Sequence, residues 1–210
     1  TGLNARTVQI TCKPFTLIGA TTRAGLLSSP LRSRFGLAHH LKYYDLGDLE
    51  SILARSSGLL GIERPESSGL SAIASRSRGT PRIANRLLRR ARDYAQVRAD
   101  GLIDSAVVEK ALELEGVDGL GLDALDRAYL KTIGTVFNGG PVGVEAVAAT
   151  MNEDAGTIED VLEPYLLQIG FLARTRRGRM LTRAGADHLG AGVRAGVESQ
   201  SGTADGLFGT

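Results

Sequence analysis

Tryptophan is absent from the 210 residues and cysteine occurs once, at Cys12. A single cysteine excludes an internal disulfide and any cysteine-based metal cluster, and it suits a reducing, cytoplasmic setting. No apolar run is long enough to span a bilayer, and neither a secretory signal nor a lipidation motif is present, so no membrane role is expected. Aromatic residues make up 5% of the chain. Lysine is scarce too, with four lysines against 21 arginines. The length suffices for two or three small cores. The opening TGLNARTVQI is polar and lacks an initiating Met, so the chain reads as a piece of a longer protein.

The formal net charge of +2 hides strong segregation. Arg76 to Arg98 holds eight arginines and one acid, Asp93. Ala99 to Glu163 holds fourteen acids against Lys110, Arg127 and Lys131. Arg174 to Arg183 holds five arginines and no acid. Such segregation points to anionic partners at two separate places, although an arginine block is as often a solvated face.

Residues Gly19–Gly36, GATTRAGLLSSPLRSRFG, carry the densest chemistry. The preceding Pro14–Ala20 is apolar and partly β-branched, which predicts a short buried strand. Ser28, Ser29 and Pro30 predict a helix start, and Gly36 its end. Ligands of parallel α/β sheets sit at the carboxyl ends of strands, so the hydroxyls and guanidiniums here suggest phosphate chemistry. Arg32 and Arg34, two apart, point to nearly opposite sides of a helix; one could serve its own subunit and the other a neighbour. Leu37–Tyr44 alternates as a second strand, ending at Tyr44. His39 and His40 then face opposite ways and cannot chelate as a pair.

Four helices follow. Asp45 and Asp48 begin the first, which runs to about Leu60. Ser67 and Ser68 open the second, Thr80-Pro81 the third, and Asp104 the fourth. Arg82 lies in the first turn of the third helix, where the macrodipole disfavours a cation; a bound anion would remove the conflict. Gly116–Gly121, GVDGLG, predicts a flexible hinge. Beyond it, Leu122–Phe137, Val144–Met151 and Thr157–Gln168 predict three helices, the last opened by Thr157 with Asp160 in a capping-box-like start and bent or cut short by Pro164. Phe171–Thr182 predicts a hairpin turning at Arg176-Arg177-Gly178. Three helices and a hairpin are in winged-helix order. The helix in the reader position carries Glu159, Asp160 and Glu163, which is unfavourable for entry into a DNA groove. The wing carries Arg174, Arg176, Arg177 and Arg179, so DNA would be held through the wing and by its phosphates. A wing used for protein contact is the competing reading. The Gly-rich polar tail from residue 191 predicts disorder.

In order, GATTRAG, SPLRSRFG, RGTPRIANRLLRR, NGGPVG, TIEDVLEPYL and FLARTRRGR resemble the RuvB family of bacterial branch-migration motors, AAA+ ATPases that act on Holliday junctions. The resemblance implies a mainly α chain with an α/β remnant: the end of an AAA+ large domain with two strands (1–43), a four-helix lid (44–115), a winged-helix head (117–190) and a disordered tail (191–210). It implies sensor 1 at Thr21 and Thr22, an arginine finger at Arg34, nucleotide contact at Tyr44, sensor 2 at Arg82, and DNA contact by Arg174 and Arg179. It further implies ATP and Mg2+ as cofactors of the intact protein. The implied partners are duplex DNA and Holliday junctions without sequence preference, a homohexamer, and the junction-binding protein RuvA. The setting would be homologous recombination and DNA repair.

Two departures stand out. None of Lys13, Lys42, Lys110 and Lys131 follows a glycine, so no GxxxxGK[ST] loop lies within these residues, and no metal site is expected in them. The turn before the third head helix, often basic in the family, is Glu153-Asp154-Ala155-Gly156. Two alternatives remain open: a winged-helix regulator without ATPase activity, which would bind DNA sequence-specifically, and another AAA+ protein such as a clamp-loader subunit.

Overall fold

The computed structural model describes residues 12–21, 24–190 and 192–196. The chain divides into two units, 1–42 and 43–210.

In the first unit, a 3-10 turn at Ala24–Leu26 leads to the short helix α1, Ser29–Arg34, with a proline in its first turn. Ser28 occupies the N-cap, but its side chain makes no capping bond. The two strands expected at Pro14–Ala20 and Leu37–Tyr44 do not form. Phe15, Leu17, Ile18, Leu37 and Leu41 are exposed. A buried parallel strand exists only by hydrogen bonding to neighbours, and no segment among the described residues pairs with either stretch.

The second unit begins with four helices: α2 (Leu46–Leu59), α3 (Ser67–Ser75), α4 (Pro81–Arg98) and α5 (Ser105–Leu114). Asp45 and Asp104 cap α2 and α5, each accepting a backbone N–H at 2.8 Å. The apolar faces of the four helices meet in one core built on Leu49, Leu53, Ile73, Leu88, Val108 and Leu112. A feature not expected from the sequence closes this module. Strands β1 (Arg64–Pro65) and β2 (Leu102–Ile103) form a short parallel ladder, and Ile103 is fully buried.

A second core lies under α6 (Ala124–Thr135), α7 (Val144–Met151) and a third helical element over 155–168. That element joins α8 (Ala155–Thr157), a π-turn (Ile158–Leu162) and α9 (Glu163–Gln168). Its N-cap is Asp154, which accepts the Thr157 N–H at 2.9 Å, so the expected cap at Thr157 is displaced by three residues. Pro164 neither ends nor breaks it. A proline cannot donate to the carbonyl four residues back, and the π-turn just upstream widens the helix where that bond is lost. Strands β3 (Leu172–Thr175) and β4 (Gly178–Leu181) form the expected hairpin, with Thr175 opposite Gly178 and Arg176-Arg177 as its two-residue loop. Gly178, at φ 133°, supplies a backbone conformation closed to other residues. Helix α10 (Arg183–Leu189) follows.

The disorder expected from residue 191 fails for 192–196. Arg194 donates its backbone N–H to Gly134 at 3.2 Å, and Gly196 to Leu181 at 2.8 Å, while Val193 packs on the core. The remainder of the expected disordered tail lies outside the described residues.

Candidate functional site

In the first unit the two arginines of α1 are held differently. Arg32 turns back, its Nη2 donating to the carbonyls of Ala24 (3.2 Å) and Leu27 (3.3 Å), so it staples the helix to the turn before it. Arg34 donates only to Pro30 within its own helix, at 3.3 Å, and has no carboxylate partner among the described residues. Of the pair, Arg34 is therefore the one available to a second molecule. Thr21 is exposed; Thr22 and its neighbour Arg23 lie outside the described residues.

Tyr44 and Arg82 come together at one edge of the four-helix module. The Tyr44 N–H donates to Gly79 at 2.9 Å, directly before the start of α4. Helix α4 begins without a side-chain cap, at Thr80, and with Pro81 in its first turn. Arg82, in that first turn, is exposed and forms no ion pair among the described residues. A helix N-terminus with a guanidinium beside it suits a phosphate. These residues fit one edge of a nucleotide. Among the described residues no three His, Cys, Asp or Glu side chains cluster as a metal cage.

The hairpin presents a different arrangement. Glu163, fully buried, accepts the Tyr129 hydroxyl at 2.6 Å, Arg174 Nε at 2.7 Å and Arg179 Nε at 2.8 Å. Arg179 also pairs with Glu159. Burial alone would push the Glu163 carboxyl up, but the hydrogen bonds from Arg179, Tyr129 and Arg174 outweigh it and hold the group below the usual carboxylate range. Burial, with the bond to Glu163, pushes the Tyr129 phenol up. The acidic reader helix is thus no free negative face, because Glu159 and Glu163 are internal counter-ions of the wing. Arg179 is 16% exposed and turned inward, whereas Arg174 remains 48% exposed. Arg176 and Arg177 are exposed at the tip. The acid at position 154, in the turn that is often basic, serves as a helix cap.

Sequence reasoning missed Glu163 as the centre of this cluster. The signal was available: Glu163 lies on the inward arc of its helix, between Leu162 and Leu166, where a charge needs a partner.

Three family models match in chain order: the Holliday junction DNA helicase RuvB P-loop domain over residues 1–41, the RuvB AAA lid domain over 44–118, and the RuvB C-terminal winged helix domain over 119–190. The chain belongs to the RuvB family. It is similar to the RuvB Holliday junction branch migration motor of Thermotoga maritima, with 50% identity and a TM-score of 0.80, over 84% of this chain and 59% of that one. A lysine-to-arginine variant of that RuvB gives the same values. An arginine-to-alanine variant matches at 49% identity, TM-score 0.80 and the same coverage. The chain therefore spans 59% of the length of these RuvB structures. The mainly helical fold, with a RuvB lid and a winged-helix head, agrees with the architecture the resemblance implied. No described helix is long and apolar enough to cross a membrane.

Proposed function

We propose that the chain is the lid-and-head part of a RuvB motor subunit that drives branch migration of Holliday junctions in recombination and repair. The observation that carries this reading is the ordered match of all three RuvB domains. In the intact cytoplasmic protein, a hexamer working with RuvA, ATP and Mg2+ would be held mainly by a phosphate-binding loop that these 210 residues do not contain. Thr21 and Thr22 then act as sensor 1. Tyr44 and Arg82 touch the nucleotide of their own subunit from the lid edge. Arg34 reaches a neighbouring subunit's nucleotide. The start of α4 without a side-chain cap, and an Arg82 that forms no ion pair among the described residues, support the lid assignment. Having no GxxxxGK[ST] segment, the 210 residues turn over no ATP by themselves, and full turnover by this chain would overturn that statement.

The head grips duplex DNA by its phosphates through the wing. Arg174 is the principal contact, with Arg176 and Arg177 at the tip. Arg179, matched to a DNA-contacting position, meets a phosphate only by giving up Glu159, and otherwise anchors the wing. Backbone gripping suits a motor that must move along any sequence. The test is DNA affinity of this chain across a salt series, on two unrelated duplexes and a four-way junction. Arg174→Ala should weaken binding to all of them alike and reduce the salt slope by about one. A loss confined to one sequence, or a strong preference of the parent chain for one duplex, would favour the regulator reading instead.

A further inference from the structure

Domains joined by a Gly-rich linker move relative to one another by default. GVDGLG does not behave as such a linker here. Asp118 Oδ1 accepts the N–H groups of Leu120 and Leu122, each at 2.9 Å. Arg127 donates to the carbonyls of Leu122 (2.7 Å) and Gly116 (2.8 Å). Across this strapped segment, Arg78 of the lid reaches into the head. Its Nε donates to Gly121 O at 2.8 Å, its Nη1 to Asp126 Oδ1 at 3.4 Å, and its Nη2 pairs with Asp126 and, at 3.5 Å, with Asp123. The guanidinium lies 5.0 Å from the centroid of the Tyr165 ring, whose hydroxyl donates to Leu120 O at 2.6 Å. Arg78 is 9% exposed and the Asp126 side chain fully buried. Gly121, at φ 81°, lies so close to the lid that a Cβ there would stand 2.4 Å from Arg76 O. One side chain thus joins a lid loop to the linker, the α6 cap and α9.

We propose that Arg78 locks the lid and the head into a single rigid lever, carrying motion imposed at the lid's nucleotide edge to the DNA-gripping wing. The geometry of the loop favours transmission. Arg78 (φ 53°) and Gly79 (φ 66°) form a tight turn closed by Thr80 N–H to Ser77 O at 2.9 Å. That turn feeds directly into α4, with Arg82 in its first turn, and accepts the Tyr44 N–H at Gly79. A displacement of α4 or of Tyr44 therefore moves Arg78 with it. Arg78 is a positioning residue: it acts through the head and touches neither nucleotide nor DNA. The lever's role in transmission rests on the motor reading above; the rigidity itself does not.

The test is the lid–head distance distribution of this chain, measured between spin labels at Ser51→Cys and Thr150→Cys, both on exposed helix positions, with Cys12→Ser removing the native thiol. The parent should give one narrow peak. Arg78→Ala combined with Asp126→Asn, which avoids stranding a buried carboxylate, should lose it to a broad distribution while far-UV circular dichroism stays unchanged. Arg78→Lys, with a cation but no planar fork, should fall between the two. Gly121→Ala keeps every charge and should broaden the peak by forcing the close approach apart. A broad parent distribution, or a narrow one retained in both the double variant and Gly121→Ala, overturns the proposal. Either result leaves the wing's salt-dependent DNA binding intact, so failure of the lever is distinguishable from failure of the motor reading.

Discussion

Glu163→Ala should be the most damaging single substitution in the head, lowering its stability by about 3–5 kcal/mol, the usual cost of breaking a buried ion pair from one side. The carboxylate has no exposure, and its two oxygens hold Tyr129, Arg174 and Arg179. Alanine would leave the buried Tyr129 phenol without its acceptor and leave the largely covered Arg179 guanidinium with Glu159 alone as its carboxylate partner among the described residues. Glu163→Gln keeps the shape and one acceptor, so a smaller loss is expected. The pH dependence follows from the same contacts. The folded state holds the Glu163 carboxyl below its ordinary 4.5, so its stabilising contribution is present above that value and is lost as pH falls through the lower folded value. Denaturant unfolding from pH 7 down to pH 3 should show the parent losing stability over the acid limb, and Glu163→Gln should flatten it. An unchanged slope would mean that Glu163 carries no differential charge. DNA affinity of Glu163→Gln should fall equally on every duplex, because the wing rather than base reading is disturbed.

The difference between what was legible in the sequence and what was not follows the range of the interactions. Asp45, Asp104, Gly61 and the Thr80-Pro81 start are local signals, and the helices they bound lie where expected. The hairpin was legible for the same reason, since Gly178 and both short strands lie within ten residues. The strands at Pro14–Ala20 and Leu37–Tyr44 were read from composition, but a strand is completed by a neighbour far away in sequence. The bonding of the expected hinge was hidden for the same reason: glycines make residues 116–121 look loose, whereas Asp118, Arg127 and Arg78 form hydrogen bonds with this segment over separations of up to 43 residues. Arg78 could not be picked from a block of eight arginines, because nothing local distinguishes it from the solvated ones. The acids of the reader helix misled in the opposite sense. As a list of charges they repel DNA, and in the packed structure Glu159 and Glu163 are counter-ions of the wing arginines Arg174 and Arg179.

Arg34→Ala in a full-length RuvB carrying this chain should lower ATP turnover by about 10^3-fold or more while sparing nucleotide binding, the range expected when an arginine finger is removed. The structure sharpens the choice that spacing alone left open. Arg32 is spent on the Ala24 and Leu27 carbonyls of its own segment, so Arg32→Ala should loosen the α1 turn and act on hydrolysis only indirectly. Arg34 donates only to Pro30 among the described residues, which would leave the rest of its guanidinium for a transferred phosphoryl group if it acts as the finger. Equal loss of binding and hydrolysis would place Arg34 in its own subunit's site and contradict the assignment. Mixing separates the two cases further. Subunits carrying Arg34→Ala retain their own phosphate-binding loop, and subunits disabled in that loop retain Arg34. Combined in one ring, the second kind completes the sites of the first, so two inactive preparations should recover turnover on mixing. A residue acting within its own subunit allows no such recovery, since neither kind then contains a complete site.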